Sequence, residues 1–173
     1  MTGGFTMRAV SRIAVAMSGK ALLVLLAMGG TPVMAGSAVN TGLFGGVAIM
    51  GYDTVAYFTE GRAMKGSEEF AYDWLGTPWY FANAKHREMF AAEPARYAPQ
   101  FGGYCTLGIG VDGHAAENID PERAWRIIDG KLYFVYDPTY VENLDGPARE
   151  EWLARAEANW PGTKAKIQEK GFN

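Results

Sequence analysis

The sequence predicts an α+β fold, in which one small single domain holds short antiparallel strands, paired in hairpins, and two to three helices. The length of 173 residues fits one domain of ordinary size. Apolar residues make up 49% of the chain and charged residues 20%, a balance that excludes a disordered or low-complexity protein. The apolar runs are short and are separated by turns containing glycine and proline, and only a few segments have helical spacing. This pattern is typical of the α+β class.

The first 35 residues have the order of a secretory signal peptide. Three basic residues come first, an apolar run covers residues 21–28, and Val33-Met34-Ala35 offers small or short residues for cleavage after Ala35. The apolar run is far shorter than the ~20 residues that span a bilayer. We therefore expect a periplasmic or secreted protein with no stable membrane anchor after cleavage. An uncleaved anchor is the alternative.

Charge is distributed unevenly along the chain. Residues 1–35 hold three of the 16 basic residues and none of the 19 acidic ones, so the remainder is strongly acidic. Nucleic-acid binding requires clustered Lys and Arg, and we expect no nucleic-acid partner. The sequence has no glycine-rich nucleotide-binding motif, no Gly-x-Ser-x-Gly and no His-Glu-x-x-His. We therefore expect no catalysis.

The beginning of the mature chain predicts a lead-in and two apolar segments. Residues 36–46 are small and glycine-rich, so we expect a flexible lead-in. Residues 47–50 form a short apolar run that predicts a strand. Gly51-Tyr52-Asp53 interrupts this run, and residues 54–58 continue as a second buried segment.

The next part of the chain predicts a hairpin followed by a helix. Within residues 69–81, polar and aromatic side chains alternate at a period of two, a Gly-Thr-Pro segment turns the chain, and an aromatic strand returns. Asn83 can cap a helix over residues 85–93. A tight loop containing Gly102-Gly103 then leads to Cys105.

The last part of the chain predicts a second hairpin and a final helix. Residues 120–122 can start a short helix, with proline at its first position. Residues 125–136 are apolar runs on either side of Asp129-Gly130, a dipeptide that selects a type I′ hairpin turn. A helix is expected over residues 146–159. Proline and glycine then end it, and residues 161–173 are expected to be a polar, frayed tail.

Several separate blocks of the mature chain occur in the order typical of one known family. They are Gly51-Tyr52-Asp53-x-Val55-Ala56-Tyr57-Phe58, Lys65-Gly66, Trp79-Tyr80-Phe81-Ala82, Pro94-x-x-Tyr97-Ala98-Pro99-Gln100-Phe101-Gly102-Gly103-Tyr104-Cys105, Asp120-Pro121 and Asp129-Gly130-Lys131-Leu132-Tyr133. Through these blocks the chain resembles the exported bacterial YHS-domain proteins over residues 47–160. The resemblance implies a treble-clef-like α+β unit and an association with metals, copper especially. The chain departs from the metal-transporting members, because it has no paired cysteines and no literal Tyr-His-Ser.

Cys105 is the principal candidate metal ligand. Outside the cytoplasm no reducing pool protects a lone thiol, and thiolate is the preferred ligand of Cu(I), with imidazole and thioether in support. His86 and Met89 are three residues apart, so they can share one face of a helix. The single cysteine excludes an intramolecular disulfide, and the two histidines exclude a three-histidine site. We predict a Cu(I) site on Cys105, with His86, Met89 and His114 as the supporting ligands.

Each candidate residue also has a structural interpretation. Cys105 is alternatively a small buried hydrophobe, or an exposed thiol that reacts or links to a partner. His86 has the polar neighbours of a helix-surface residue, His114 lies in a segment typical of a solvated loop, and Met89 is typical of a core. Asp53 is favoured as a turn or cap residue, which accepts hydrogen bonds from the following amides, over a role in acid–base chemistry.

Two functions are consistent with this sequence. The first is an exported metal-binding module that senses, buffers or hands over copper, with a metal ion or a copper-handling protein as its partner. The alternative is a metal-free module that binds a small ligand or a protein through an aromatic-lined face, because aromatic side chains that fill a core can also line a pocket. An enzyme would require Asp53, His86, Cys105 and His114 to converge in one cleft, which no spacing supports.

Overall fold

The computed structural model describes residues 38–170, so the predicted signal peptide, residues 1–35, lies outside the described residues. In chain order the elements are α1 (Ala56–Thr59), β1 (Ser67–Trp74), β2 (Thr77–Phe81), α2 (Ala84–Ala92), α3 (Pro94–Tyr97), α4 (Thr106–Asp112), β3 (Trp125–Ile128), β4 (Lys131–Phe134), α5 (Glu142–Asp145) and α6 (Arg149–Lys170). Short 3₁₀ segments cover Ala48–Gly51, Gln100–Gly103 and Pro138–Tyr140. The predicted class, with two antiparallel hairpins and several helices, is confirmed, although there are more helical segments than the two to three expected.

Strands β1 and β2 form the first predicted hairpin. They pair antiparallel, with Tyr72 opposite Trp79. The turn is Leu75-Gly76 and not the predicted Gly-Thr-Pro segment, because both turn residues have positive φ, 54° and 72°, as a two-residue type I′ turn requires. The buried rings of Trp79 and Phe81 each pack 4.9 Å from the ring of Phe90 in α2. Packing against α2 stabilises this two-stranded hairpin, which would be only marginally stable by itself in water.

Strands β3 and β4 form the second hairpin, as predicted. Ile128 lies opposite Lys131, and the connecting residues Asp129 and Gly130 both have positive φ, 51° and 73°. The short helix predicted over residues 120–122 is instead a turn. It is closed by the Asp120 carboxylate, which accepts hydrogen bonds from two backbone amides that follow.

Helix α6 is longer than the sequence predicts. The expected stop at Pro161-Gly162 and the expected frayed tail are wrong, because the helix continues to Lys170. Thr163 and Ile167 are each only 4% exposed, and Thr163 Oγ1 donates to the Gly113 carbonyl oxygen at 2.9 Å. Burial of this face thus outweighs the helix-breaking proline. Within residues 38–170 neither α6 nor another helix combines the length and apolarity needed to cross a membrane.

Helix α4 occupies a segment in which the sequence predicts no helix. Two of its seven residues are glycines, which lowers its intrinsic helix propensity. A Cβ atom on Gly110 would lie 3.1 Å from the Trp152 carbonyl oxygen, so glycine at this position allows α6 to approach closely. Asn159 of α6 also donates from Nδ2 to the Ile109 carbonyl oxygen at 2.8 Å. Contacts with α6 therefore stabilise α4.

The segment before α1 differs from the prediction in two ways. Residues 48–51 are not a strand, because Ile49 and Met50 both have φ of 49°, in the left-handed region that strands exclude. Asn40 belongs to the expected flexible lead-in but is fully buried. Its side-chain Nδ2 donates to the Gly103 carbonyl oxygen at 3.0 Å, and its backbone carbonyl oxygen accepts from the Ile49 amide at 2.8 Å. The packed part of the chain thus begins before residue 47.

Candidate functional site

Asp53 is a fully buried carboxylate, and each of its oxygens accepts two hydrogen bonds. Oδ1 accepts from the backbone amides of Val55 at 2.9 Å and Ala56 at 3.2 Å, which confirms the predicted turn role. Oδ2 accepts from the Ala82 amide at 2.8 Å and from His86 Nδ1 at 2.6 Å. A buried charge requires such complete pairing. Asp53 therefore ties the start of α1 to the end of β2 and to α2.

His86 is the second member of this centre. The predicted surface position is wrong, because the side chain is only 6% exposed and its ring faces Asp53. The Asn83 cap, which was predicted, accepts from the His86 amide at 2.9 Å and fixes the first turn of α2. The other ring nitrogen, Nε2, lies 3.3 Å from Thr59 Oγ1 and 3.7 Å from Glu60 Oε1. His86 thus links the buried carboxylate to the end of α1.

Thr59 is a functional candidate that the sequence analysis does not identify. It is the last residue of α1 and is exposed, and its hydroxyl also lies 3.2 Å from the Val55 carbonyl oxygen, to which it can donate. No local motif joins Thr59 to His86, which is 27 residues later. Only the tertiary fold brings the end of α1 and the first turn of α2 close enough for these side chains to meet.

Cys105 lies in the interior. It is 4% exposed, its amide donates to the Ala116 carbonyl oxygen at 3.1 Å, and its backbone pairs with Phe134 of β4. The interpretation of Cys105 as a small buried hydrophobe agrees with this position, and the exposed-thiol interpretation is wrong.

The four predicted copper ligands have separate surroundings. His86 has both ring nitrogens engaged by Asp53 and Thr59, while Met89 is half-buried against the core. His114 is exposed on a loop, as expected, and lies at a different cavity. Within residues 38–170 no group of three or more His, Cys, Asp and Glu side chains is placed to hold a metal ion. Asp53 and His86 therefore meet without Cys105 or His114, and the Cu(I) site on Cys105 stays a prediction.

An aromatic groove lies between the first hairpin and α6. It is a cavity of about 240 Å³ lined by side chains from both elements and from the Gln100–Gly103 segment. Its lining includes Trp74, Leu75, Trp79, Phe101, Trp160 and Lys164. Of these six, Lys164 is the one charged side chain.

A second cavity, of about 300 Å³, lies where the α4–β3 connection meets the end of α6. His114 and Lys166 line it together with the acidic residues Asp112 and Glu117. Burial, and then the charge of Glu117, raise the pKa of Tyr104 in its wall to about 12, so this phenol stays protonated at neutral pH. Both signs of charge are present, so the lining favours no single class of ligand.

Comparison of the chain with protein-family models, with curated proteins and with solved structures gave no match. Two features of the described residues can support a function: the aromatic groove, and the centre formed by Asp53, His86 and Thr59.

Proposed function

We propose that this protein is a binding module that takes a small, planar, largely apolar ligand in the aromatic groove without a metal. One observation carries the proposal, namely the presence of three of the five tryptophans in the walls of a single cavity. Ligand pockets are concave and mostly apolar, with a few polar groups that fix orientation. The volume of about 240 Å³ is slightly below that of typical ligand pockets, about 300–1,000 Å³, which suits a ligand of one or two fused rings.

The groove walls are held in place by their own contacts. The rings of Trp74 and Trp79 lie 5.6 Å apart at 61°, and Trp79 Nε1 donates to the Trp74 carbonyl oxygen at 3.2 Å. On the opposite wall the rings of Phe101 and Trp160 lie 5.9 Å apart at 68°. Walls that are already ordered lose little conformational entropy when a ligand binds, which favours affinity.

Apolar surface at the groove remains in contact with water. Trp74 and Trp160 are only half-buried, and Leu75 at the tip of the first hairpin is 59% exposed. A planar ligand would cover these side chains and gain about 25 cal/mol for each Å² of apolar surface removed from water. Exposed apolar surface gathered in one concavity is typical of a binding site.

The charge at the groove favours an anionic substituent on the ligand. Lys164 is exposed at the rim, one helical turn after Trp160, and no described residue forms an ion pair with it. An ammonium group beside an apolar cavity can pair with a carboxylate while the rings bury the rest of the molecule. Aromatic carboxylates are therefore the class that we propose.

The copper-handling function stays a prediction from the family resemblance. The groove supports the metal-free alternative, because three tryptophans line one cavity.

Calorimetric titration with indole-3-acetate tests the proposal. We expect a dissociation constant below about 1 mM, which corresponds to more than about 4 kcal/mol of binding free energy. Ala95 is exposed and lines the groove, so Ala95→Trp fills it, whereas Ala92→Trp alters an exposed alanine outside the groove. Binding should disappear in the first variant and persist in the second. Equal binding by both variants would place the ligand elsewhere and overturn the proposal.

A further inference from the structure

Asp53, His86 and Thr59 form a linear chain of polar contacts from the interior to the surface. Asp53 Oδ2 lies 2.6 Å from His86 Nδ1, and His86 Nε2 lies 3.3 Å from Thr59 Oγ1. The side chain of Asp53 is 0% exposed and that of His86 6%, whereas Thr59 is exposed. The order from carboxylate to imidazole to hydroxyl is the one that activates a hydroxyl for acyl transfer.

The buried carboxylate determines which nitrogen of His86 carries the proton. An ionised carboxylate only accepts hydrogen bonds, so Nδ1 is the protonated nitrogen and donates to Asp53. In the neutral ring, Nε2 then carries the lone pair and lies 3.3 Å from Thr59 Oγ1, whose single proton can be donated either to Nε2 or to the Val55 carbonyl oxygen at 3.2 Å. Three backbone amides also donate to Asp53, and they hold the carboxylate in this orientation. The ring is therefore positioned as a base for Thr59.

Glu60 is placed to stabilise the ring once it has taken a proton. Its Oε1 lies 3.7 Å from His86 Nε2, on the side opposite Asp53. Each ring nitrogen of His86 therefore has a carboxylate oxygen within 4 Å, Asp53 Oδ2 at 2.6 Å and Glu60 Oε1 at 3.7 Å. Thr59 itself is exposed, so a small reagent can approach its side chain from solvent.

We propose that Thr59 is a nucleophile toward small activated acyl esters, a property independent of ligand binding in the aromatic groove. Thr59 Oγ1 forms a bond to the acyl carbon, its proton passes to His86 Nε2, and the bond from that carbon to the alcohol oxygen breaks. The leaving alcohol takes the proton from Nε2, and Thr59 carries the acyl ester. Water then attacks this ester with His86 as the base, which releases a carboxylic acid and restores the hydroxyl.

Acetylation by p-nitrophenyl acetate, mapped by peptide mass spectrometry, tests this proposal. Thr139 is the internal control, because it is also exposed but its hydroxyl donates to the Asp137 carboxylate at 2.8 Å and not to an imidazole. We expect acetylation of Thr59 at least ~100-fold faster than that of Thr139, the lower range of general-base assistance. Equal rates at the two threonines, or no acetyl group on Thr59, would overturn the proposal.

Variants of Thr59 and His86 test whether Thr59 reacts because the imidazole activates its hydroxyl or only because the residue is exposed to solvent. Thr59→Ser should keep the acetylation of position 59, and Thr59→Val should abolish it without a change in side-chain size. His86→Gln should slow the acetylation of Thr59 by ~100-fold and leave Thr139 unaffected. If His86→Gln does not fold, the comparison of Thr59 with Thr139 in the unaltered protein still decides the question. Unchanged acetylation of Thr59 in folded His86→Gln would contradict the role of the imidazole.

Discussion

Asp53 Oδ2 and His86 Nδ1 are joined by a 2.6 Å hydrogen bond inside the protein, although the two residues are 33 positions apart in the chain. The bond connects the turn that starts α1 with the first turn of α2. It is therefore a tertiary cross-link between the segment before the first hairpin and the helix after it. Its loss would affect both the stability of the fold and the orientation of the ring that faces Thr59.

Replacement of Asp53 by asparagine should lower the free energy of unfolding by about 3 kcal/mol, measured by urea denaturation. The amide would place an NH₂ group where a carboxylate oxygen now accepts two hydrogen bonds, so buried donors would lose their acceptor. Asp137→Asn is the matched control, because Asp137 also accepts from a following amide but makes its bonds at the surface. We expect the control to cost about 1 kcal/mol or less. Equal losses would show that the buried position of Asp53 has no special importance.

Stability should fall as the pH rises from about 10 to about 12. Burial, and then the hydrogen bond to Glu122, raise the pKa of Tyr52 to about 12, and burial also raises the pKa of Tyr57. A phenol with a raised pKa in the folded state stabilises the fold fully below its unfolded pKa of about 10, and this contribution is lost as the pH rises through the folded value. Urea midpoints at pH 9 and 11.5 measure the loss. Other groups also lose protons in this pH interval, so the variant Tyr52→Phe is the control. We expect its stability to fall less than that of the unaltered protein between pH 9 and 11.5. An identical fall in the two proteins would contradict the role of Tyr52.

Lys164 should determine the preference for anionic ligands in the aromatic groove. With Lys164→Gln, the affinity for indole-3-acetate should fall by about 1.5-fold to fivefold, the range expected for loss of one exposed ion pair, whereas the affinity for indole should stay the same. Lys166→Gln is the control, since Lys166 is exposed on the same helix but lines the other cavity. Parallel titrations of both ligands measure this effect. If the affinity for both ligands decreases in Lys164→Gln, or if the affinity for indole-3-acetate decreases equally in Lys166→Gln, Lys164 does not recognise the anionic group.

Cys105→Ala should leave the copper content of the protein unchanged. The thiol is buried, and His86, one of its predicted partners, is bonded to Asp53 and Thr59 instead. Metal content can be measured on protein purified without chelator and challenged with Cu(I) and Zn(II). Near-stoichiometric copper that is lost in Cys105→Ala would support the copper-handling function and contradict a metal-free module.

Features that depend on neighbouring residues could be predicted from the sequence. The Asp129-Gly130 turn is an example, because its type follows from the few residue types that tolerate positive φ. The cap at Asn83 and the alternation that leads to the first hairpin are of the same kind. Each depends on contacts within a few positions, and the local pattern therefore contains the information.

Features that depend on distant residues could not be predicted from the pattern alone. The polar neighbours of His86 predict a surface position, but its partner is an aspartate on another element. Pro161 predicts the end of a helix, but burial of Ile167 keeps the helix intact beyond it. The tryptophans of the aromatic groove lie on strands and on a helix more than 80 positions away, and their separate sequence neighbourhoods indicate only a core.

The indole N–H signals of the five tryptophans, observed by ¹H–¹⁵N NMR during titration with indole-3-acetate, test the central claim most directly. Trp74, Trp79 and Trp160 line the aromatic groove, whereas Trp125 and Trp152 do not, so the protein contains its own control. We predict that the first three signals shift together along one saturable curve and that the other two stay in place. Shifts at Trp125 or Trp152 of the same size, or no shift at the three groove tryptophans, would contradict a ligand site in this groove.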